Sequence, residues 1–390
     1  MSEEADPLYR PLGPLDDWAA APVDHEAWAS AVDGFGAARG DDPEWAAMVD
    51  RGMLLAAAHQ SAALDGLSPP DRTLTEAFLN GEVSLASIDD DTRAHVRANV
   101  KALRVARDAE VSEDSIRRVH EMACGPQLTH PVRVDDRVQD HILAAGDYKH
   151  HPNHILQADG GWRATAPVAQ VAGEMAALVA RVSSPDFARV HAVVQAAYLL
   201  HALGHVQPFA DGNGRVGRAL ASARLLVAAS VPFLAMDDHA ASGGPAAQVR
   251  LVQQAGLDLI DHLTSADRSG PALDLWRAQE AAGDAVRRRL VAELAHALDR
   301  YGRRPDRRAD LSAATILAGE PVAVRAALGH GPVVEEVITV DAHPEDGDGP
   351  VLLTAVEAGL RLAASPQTPL ETWLDRVIST LALRVAAELE

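Results

Sequence analysis

The run Val206-Gln207-Pro208-Phe209-Ala210-Asp211-Gly212-Asn213-Gly214-Arg215-Val216-Gly217-Arg218 decides the reading of this chain, because it sets a carboxylate, a glycine-walled turn and two arginines side by side. An apolar run from Val193 to Leu203 leads into it and another from Val216 to Val227 leads out, so a polar turn joins two buried helices. Gly212 and Gly214 admit positive backbone dihedrals, and Asn213 between them tolerates the left-handed region. The amides that open the second helix then point at one place and form an anion nest. Arg215 and Arg218 share a helix face and reach for a second phosphate. Asp211 is placed to hold a magnesium ion that bridges phosphates.

Working outward, the 390 residues suffice for two or three domains. Alanine dominates, aromatic residues make up 4% and apolar positions recur at helical spacing, which predicts a mainly α protein. A formal charge of -21 argues against a general nucleic-acid binder while leaving a nucleotide with its metal ion compatible. The single Cys124 excludes an internal disulfide framework and fits a reducing compartment. The acidic start lacks a secretory pattern, and the longest apolar stretch, Leu225 to Met236, is too short for a bilayer. No membrane partner and a cytoplasmic location are expected.

Composition shifts divide the chain into an N-terminal helical region (1–110), a core (111–265) and a C-terminal unit (266–390). Within the first, residues 1–40 read as an extended arm with short helical turns. Helices are expected over Pro43–Leu67 and Leu74–Ala109, parted by Ser68-Pro69-Pro70. Ser112 is an N-cap followed by acidic Glu113 and Asp114. Between Thr129 and Pro167 glycines and prolines break the pattern into loops plus a short hairpin. The C-terminal unit reads as helices from Leu273 and from Thr368, a basic island at Arg300–Arg308, and one hairpin over Val333–Val340 and Val351–Leu353.

The central run resembles the signature of Fic-domain proteins, His-x-Phe-x-Asp/Glu-Gly-Asn-Gly-Arg-x-x-Arg, through Phe209, Asp211, Gly212, Asn213, Gly214, Arg215 and Arg218. Val119-His120 resembles that family's Leu-His-like pair, and His201 stands where Fic proteins often carry His. Gly146-Asp147-Tyr148-Lys149 with Asn153–Trp162 resembles the flap that registers a target segment. The resemblance covers about residues 50–265. It implies a Fic-fold helical core with a β-hairpin flap, and transfer of AMP from ATP to a Ser, Thr or Tyr hydroxyl of a target protein or of the protein itself. Asp211 would hold the metal, Gly212, Asn213 and Gly214 would cradle phosphates, and Arg215 with Arg218 would neutralise the departing pyrophosphate.

Two departures follow. The family's catalytic base is the first His of the signature, and here that position is Gln207, whose amide has no usable basicity. As a substitute base, His205 faces another side of the helix, whereas His150, His151 and His154 in the flap remain an alternative; Pro152 breaks any helical metal-ligand spacing among them, so no zinc site is expected there. The chain is therefore either a transferase with altered base chemistry or a nucleotide-binding pseudoenzyme that regulates a partner. The second departure is Ser61-Ala62-Ala63-Leu64-Asp65-Gly66, which resembles the family's Ser-x-x-x-Glu-Gly/Asn autoinhibitory motif with an acid one methylene shorter. By that resemblance Asp65 would pair with Arg218; the plainer alternative is that Ser61 and Asp65 cap the helix end before Pro69-Pro70.

Overall fold

A computed structural model describes residues 9–83, 85, 88–134, 137–153, 155–156, 162–234 and 244–265, with four strand backbones further on. The protein is mainly α. It forms two compact units, Met1–Val83 with Asp89–Arg268, and Ser84–Ile88 with Ser269–Glu390.

In the first unit α1 (Asp16–Ala19) and α2 (His25–Asp41) lead into α3 (Pro43–Leu64), α4 (Arg72–Leu79), α5 (Asp90–Asp108) and α6 (Glu113–Cys124). Short acidic or hydroxyl side chains start most of them. Asp24 accepts from Ala27 N, Asp42 from Trp45 N ahead of Pro43, and Asp71 and Asp89 do the same for α4 and α5. Ser112 and Ser115 exchange bonds in a reciprocal capping box, as its sequence position predicts.

Two hairpins follow: β1 (Thr129–Val134) with β2 (Arg137–Ile142), and the short pair β3 (Ile155–Leu156) with β4 (Trp162–Arg163). Next come α7 (Val168–Val182), α8 (Pro185–Arg189), α9 (Ala192–Val206), α10 (Asn213–Ala229) and α11 (Pro245–Ser265). The centre of the unit is α9, apolar on most of its surface; Val193, Ala197, Tyr198, Leu199, Leu203 and Val206 are all buried as it packs against α10 and α11. On the far side of α10 lie α3, α5 and α6. The signature run is thus the connection between the two central helices.

Three expectations are corrected. Residues 25–41 are no part of an extended arm, because α2 runs for 17 residues through Gly34, Gly36 and Gly40. Burial of Trp28 and Phe35, with Trp18 edge-on to Tyr198, outweighs the helix-breaking glycines. The helix expected over Leu74–Ala109 is instead α4 and α5, since Asn80 ends the first and Gly81 turns left-handed at φ 69°. The irregular stretch after Thr129 holds the β1–β2 hairpin as well as the short one.

In the second unit β7 (Val337–Pro344) pairs antiparallel with β5 (Ala309–Asp310), β6 (Thr315–Ala318) and β8 (Val351–Val356). The expected hairpin corresponds to β7 and β8 within a larger sheet. The expected helices from Leu273 and Thr368 and the basic island at Arg300–Arg308 lie outside the described residues. Among the described residues no helix is long and apolar enough to cross a membrane.

Gly52 is where α3 approaches the end of α4 most closely: an added Cβ would stand 2.5 Å from the Phe78 carbonyl oxygen and 3.0 Å from that of Leu79. Gly34 has open space around it. Chemical denaturation should therefore show Gly52→Ala destabilised by about 1–3 kcal/mol and Gly34→Ala stabilised by up to ~1 kcal/mol.

Candidate functional site

The turn between α9 and α10 is shaped by backbone geometry first. Gln207 closes α9 in the left-handed region (φ 49°, ψ 60°), donating its N–H to Leu203 O, and Pro208 prevents the helix continuing. Gly212 supplies the second left-handed residue at φ 76°; there a Cβ would collide with the Cys124 sulfur. Gly214 and Asn213 are not left-handed, contrary to the sequence reading, and form the first turn of α10. Gly214 is small for another reason, since a Cβ would lie 2.8 Å from Arg218 Nη1 and 3.2 Å from Asp65 Oδ1.

Side chains then lock the loop. Buried Asn213 accepts from Phe209 N at 2.9 Å and donates to Phe209 O and Gln207 Oε1, each at 2.8 Å. Phe209 stacks on His120, with ring centroids 3.8 Å apart and planes within 7°. The Gly146 N–H donates to His120 Nδ1 at 2.7 Å, so the ring proton is on Nε2, which donates to Asp211 O at 3.0 Å. From the other side Lys149 N donates to Pro208 O and Asn153 Nδ2 to Phe209 O. Buried Lys149 Nζ holds Asn153 Oδ1 at 2.6 Å and Thr165 Oγ1 at 2.9 Å, and burial pushes its ammonium down to about 8.

No side chain caps α10, so the amides of its first turn are left as donors at a positive helix end. Asp65 lies over that end. Its Oδ1 accepts from Arg218 Nη2 at 2.6 Å and its Oδ2 from Arg215 Nε at 2.8 Å. Ser61, one turn earlier on α3, takes Arg218 Nε on its hydroxyl and Nη2 on its carbonyl, both at 2.9 Å. Gly66, at φ 73°, stops α3 and leaves Asp65 at the helix end. The Asp65 carboxylate faces α10 rather than capping its own helix.

The two arginines do not share a direction. Arg218 is at the margin, with 14% of its side chain exposed, whereas the Arg215 side chain is fully buried. Besides Asp65, Arg215 meets Ala123 O at 3.2 Å and Gln127 Oε1 at 2.5 Å. As placed, Arg215 holds the site together from behind instead of reaching for a second phosphate beside Arg218.

Asp211 is 37% exposed and its two oxygens accept from Gly212 N and Gln127 Nε2, each at 2.7 Å. One lone pair on each oxygen is left, which suits a single-carboxylate magnesium site completed by phosphate and water. Among the described residues no group of three or more His, Cys, Asp or Glu could hold a metal ion by itself.

Gln207 donates from Nε2 to Gly204 O at 3.2 Å while Oε1 accepts from Asn213. Of the alternative bases, His205 is engaged elsewhere. His205 bonds Arg10 O at 2.7 Å and stacks on His201, which packs against Trp18. His150 and His151 are exposed, and His154 lies outside the described residues. Gln127 was missed by the sequence reading: it sits in a Gly-Pro-Gln stretch with no motif around it.

A family model described as Fic/DOC matches residues 110–225. The chain is similar to a solved Fic-domain-containing signaling protein from Bacteroides thetaiotaomicron, at 20% identity over 61% of this chain and 94% of that one, with a TM-score of 0.42. It is also similar to Fic-1 from C. elegans, at 17% over 61% and 72% with a TM-score of 0.44. A Fic family protein from Desulfovibrio desulfuricans gives 17% over 67% and 79%, again with a TM-score of 0.44. In sequence alone no curated protein matches the chain.

Burial pushes the His120 imidazole down to about 4, chiefly by desolvation. The unfolded chain, at about 6.5, therefore takes up protons first as pH falls. This contribution is complete above the unfolded value and is lost as pH drops toward the folded one. Thermal midpoints measured from pH 7 to 4.5 should decline for the parent chain and decline less for His120→Gln, with His201, also pushed down to about 4, and the other histidines lowered by burial, His59, His95, His130 and His191, contributing to the remaining slope.

Proposed function

We propose, from the premise that residues 110–225 form a Fic/DOC-family domain, that the protein binds a magnesium–ATP complex over the start of α10 and transfers AMP to a hydroxyl of a protein target or of itself. One observation carries this reading. Beside Arg218, and close to Gly214 in the uncapped first turn of α10, an anion already sits, the Asp65 carboxylate. A phosphate group has the charge and the acceptors to take its place.

In the transfer, the target hydroxyl oxygen bonds to the α-phosphorus, the bond to the β-phosphate bridging oxygen breaks, and pyrophosphate departs. The first-turn amides of α10 and Arg218 stabilise the phosphate charge by position alone. A magnesium ion at Asp211 would offset further phosphate charge when bound. Gln207 can orient the incoming hydroxyl through its remaining N–H but cannot accept a proton, which leaves for water. Losing a general base slows such a reaction by roughly 10²–10⁴-fold. With Asp65 across Arg218, the resting chain is also held back until the carboxylate yields.

The second reading is a pseudoenzyme that binds nucleotide and regulates a partner. It is favoured by the fixing of the Gln207 amide at both ends, Oε1 on Asn213 and Nε2 on Gly204.

Incubation with α-labelled and γ-labelled ATP separates these. Protein label from the α position supports AMP transfer; nucleotide binding without label or pyrophosphate supports the pseudoenzyme; absence of nucleotide binding sinks both. Gln207→His is expected to raise α-label incorporation by about 10²–10⁴-fold under the transferase reading. Asp65→Ala removes the carboxylate bonded directly to the buried Arg215, so the stability without nucleotide should fall by roughly 3–5 kcal/mol. Magnesium–ATP should restore part of that loss, more than it adds to the parent chain.

A further inference from the structure

The connection after α6 carries a side chain that the signature does not include. Gln127, held by a turn in which its N–H donates to Cys124 O at 2.9 Å, is wedged between the Arg215 guanidinium and the Asp211 carboxylate. Its orientation follows from chemistry: an arginine only donates, so the atom facing Nη2 is Oε1, and a carboxylate only accepts, so the group facing Oδ2 is the Nε2 amide. The second amide hydrogen goes to Thr129 O at 3.1 Å, tying the wedge to the foot of β1.

Arg215 and Asp211 carry opposite charges on either side of the left-handed turn at Gly212. Yet Arg215 Nη2 and Asp211 Oδ2 are 3.9 Å apart, beyond hydrogen-bond distance, with Gln127 bonded to both. We infer that Gln127 is a positioning residue that keeps the Arg215–Asp211 ion pair from closing into a direct hydrogen bond and so holds the Asp211 carboxylate outward and available to a divalent cation. This rests on the nucleotide–magnesium reading of the site. A neutral group that accepts at one end and donates at the other is what the gap demands. Glutamate would repel Asp211, lysine would repel Arg215, and an apolar chain would leave both charges to find each other.

The inference also joins the two carboxylates of the site. Asp65 grips Arg215 from one side, Arg215 grips Gln127, and Gln127 orients Asp211. Movement of Asp65 therefore reaches the metal ligand through two hydrogen-bonded side chains.

Gln127→Leu tests this in the full chain, because leucine fills similar space without either bond. Calorimetric ATP binding with magnesium and with EDTA gives a ratio of affinities for each protein. The variant's ratio should drop by about tenfold or more, in keeping with loss of a residue that orients a metal ligand, while metal-free ATP affinity stays within about twofold. A merely structural role would lower both affinities together, and an unchanged ratio would overturn the inference while leaving the nucleotide reading intact. A crystal structure of Gln127→Leu gives a readout that needs no nucleotide. Direct hydrogen bonding between Arg215 and Asp211 is expected, and persistence of the 3.9 Å gap overturns the inference even if the parent chain binds no ATP, the result that would sink the functional reading separately.

Discussion

A guanidinium taken wholly out of water dictates how the site is assembled. Arg215 has no exposed side-chain surface, and an isolated buried charge costs several kcal/mol. Three separate segments therefore converge on it: the end of α3 brings the Asp65 charge, the end of α6 brings the Ala123 carbonyl, and the following turn brings the Gln127 amide. The helices on the far side of α10 are thus fixed in place by more than apolar packing. Satisfying Arg215 also explains why an acid from the N-terminal helices comes to stand beside the start of α10.

A second set of constraints rigidifies the loop itself. Asn213 laces the two ends of the turn together, and the 146–153 segment clamps its outer carbonyls through Lys149 and Asn153. Lys149 carries its charge among neutral acceptors, Asn153 and Thr165, an arrangement that costs stability and secures orientation. His120 contributes as a neutral ring with both nitrogens used. The turn is consequently held from within, from above and from below before any ligand arrives.

Much of this was legible from residues alone. Ser112 as a cap, Pro69-Pro70 as a break, and the signature run between two apolar helices are local signals, and local signals survive into the fold. Asp65 facing Arg218 was legible through resemblance, and its side chain makes that contact. What was not legible depends on what lies opposite in space. Helical spacing puts Arg215 and Arg218 on adjoining turns but cannot say that one side is walled in by α6. The glycines of α2 read as loop because the tryptophan and phenylalanine that bury that helix find their partners far along the chain. Gln127 acts through residues 84 and 88 positions away, and nothing in its own neighbourhood marks it.

The left-handed backbone at Gln207 has a consequence for which side chains that position can exchange. Its dihedrals are imposed by the end of α9, by Pro208 and by Asn213, so the turn owes its shape to neighbours rather than to the identity of that one side chain. Glutamine and histidine codons differ only in their third base. A lineage carrying this gene is therefore a single nucleotide change away from the side chain that the signature carries, on a scaffold already bent to receive it.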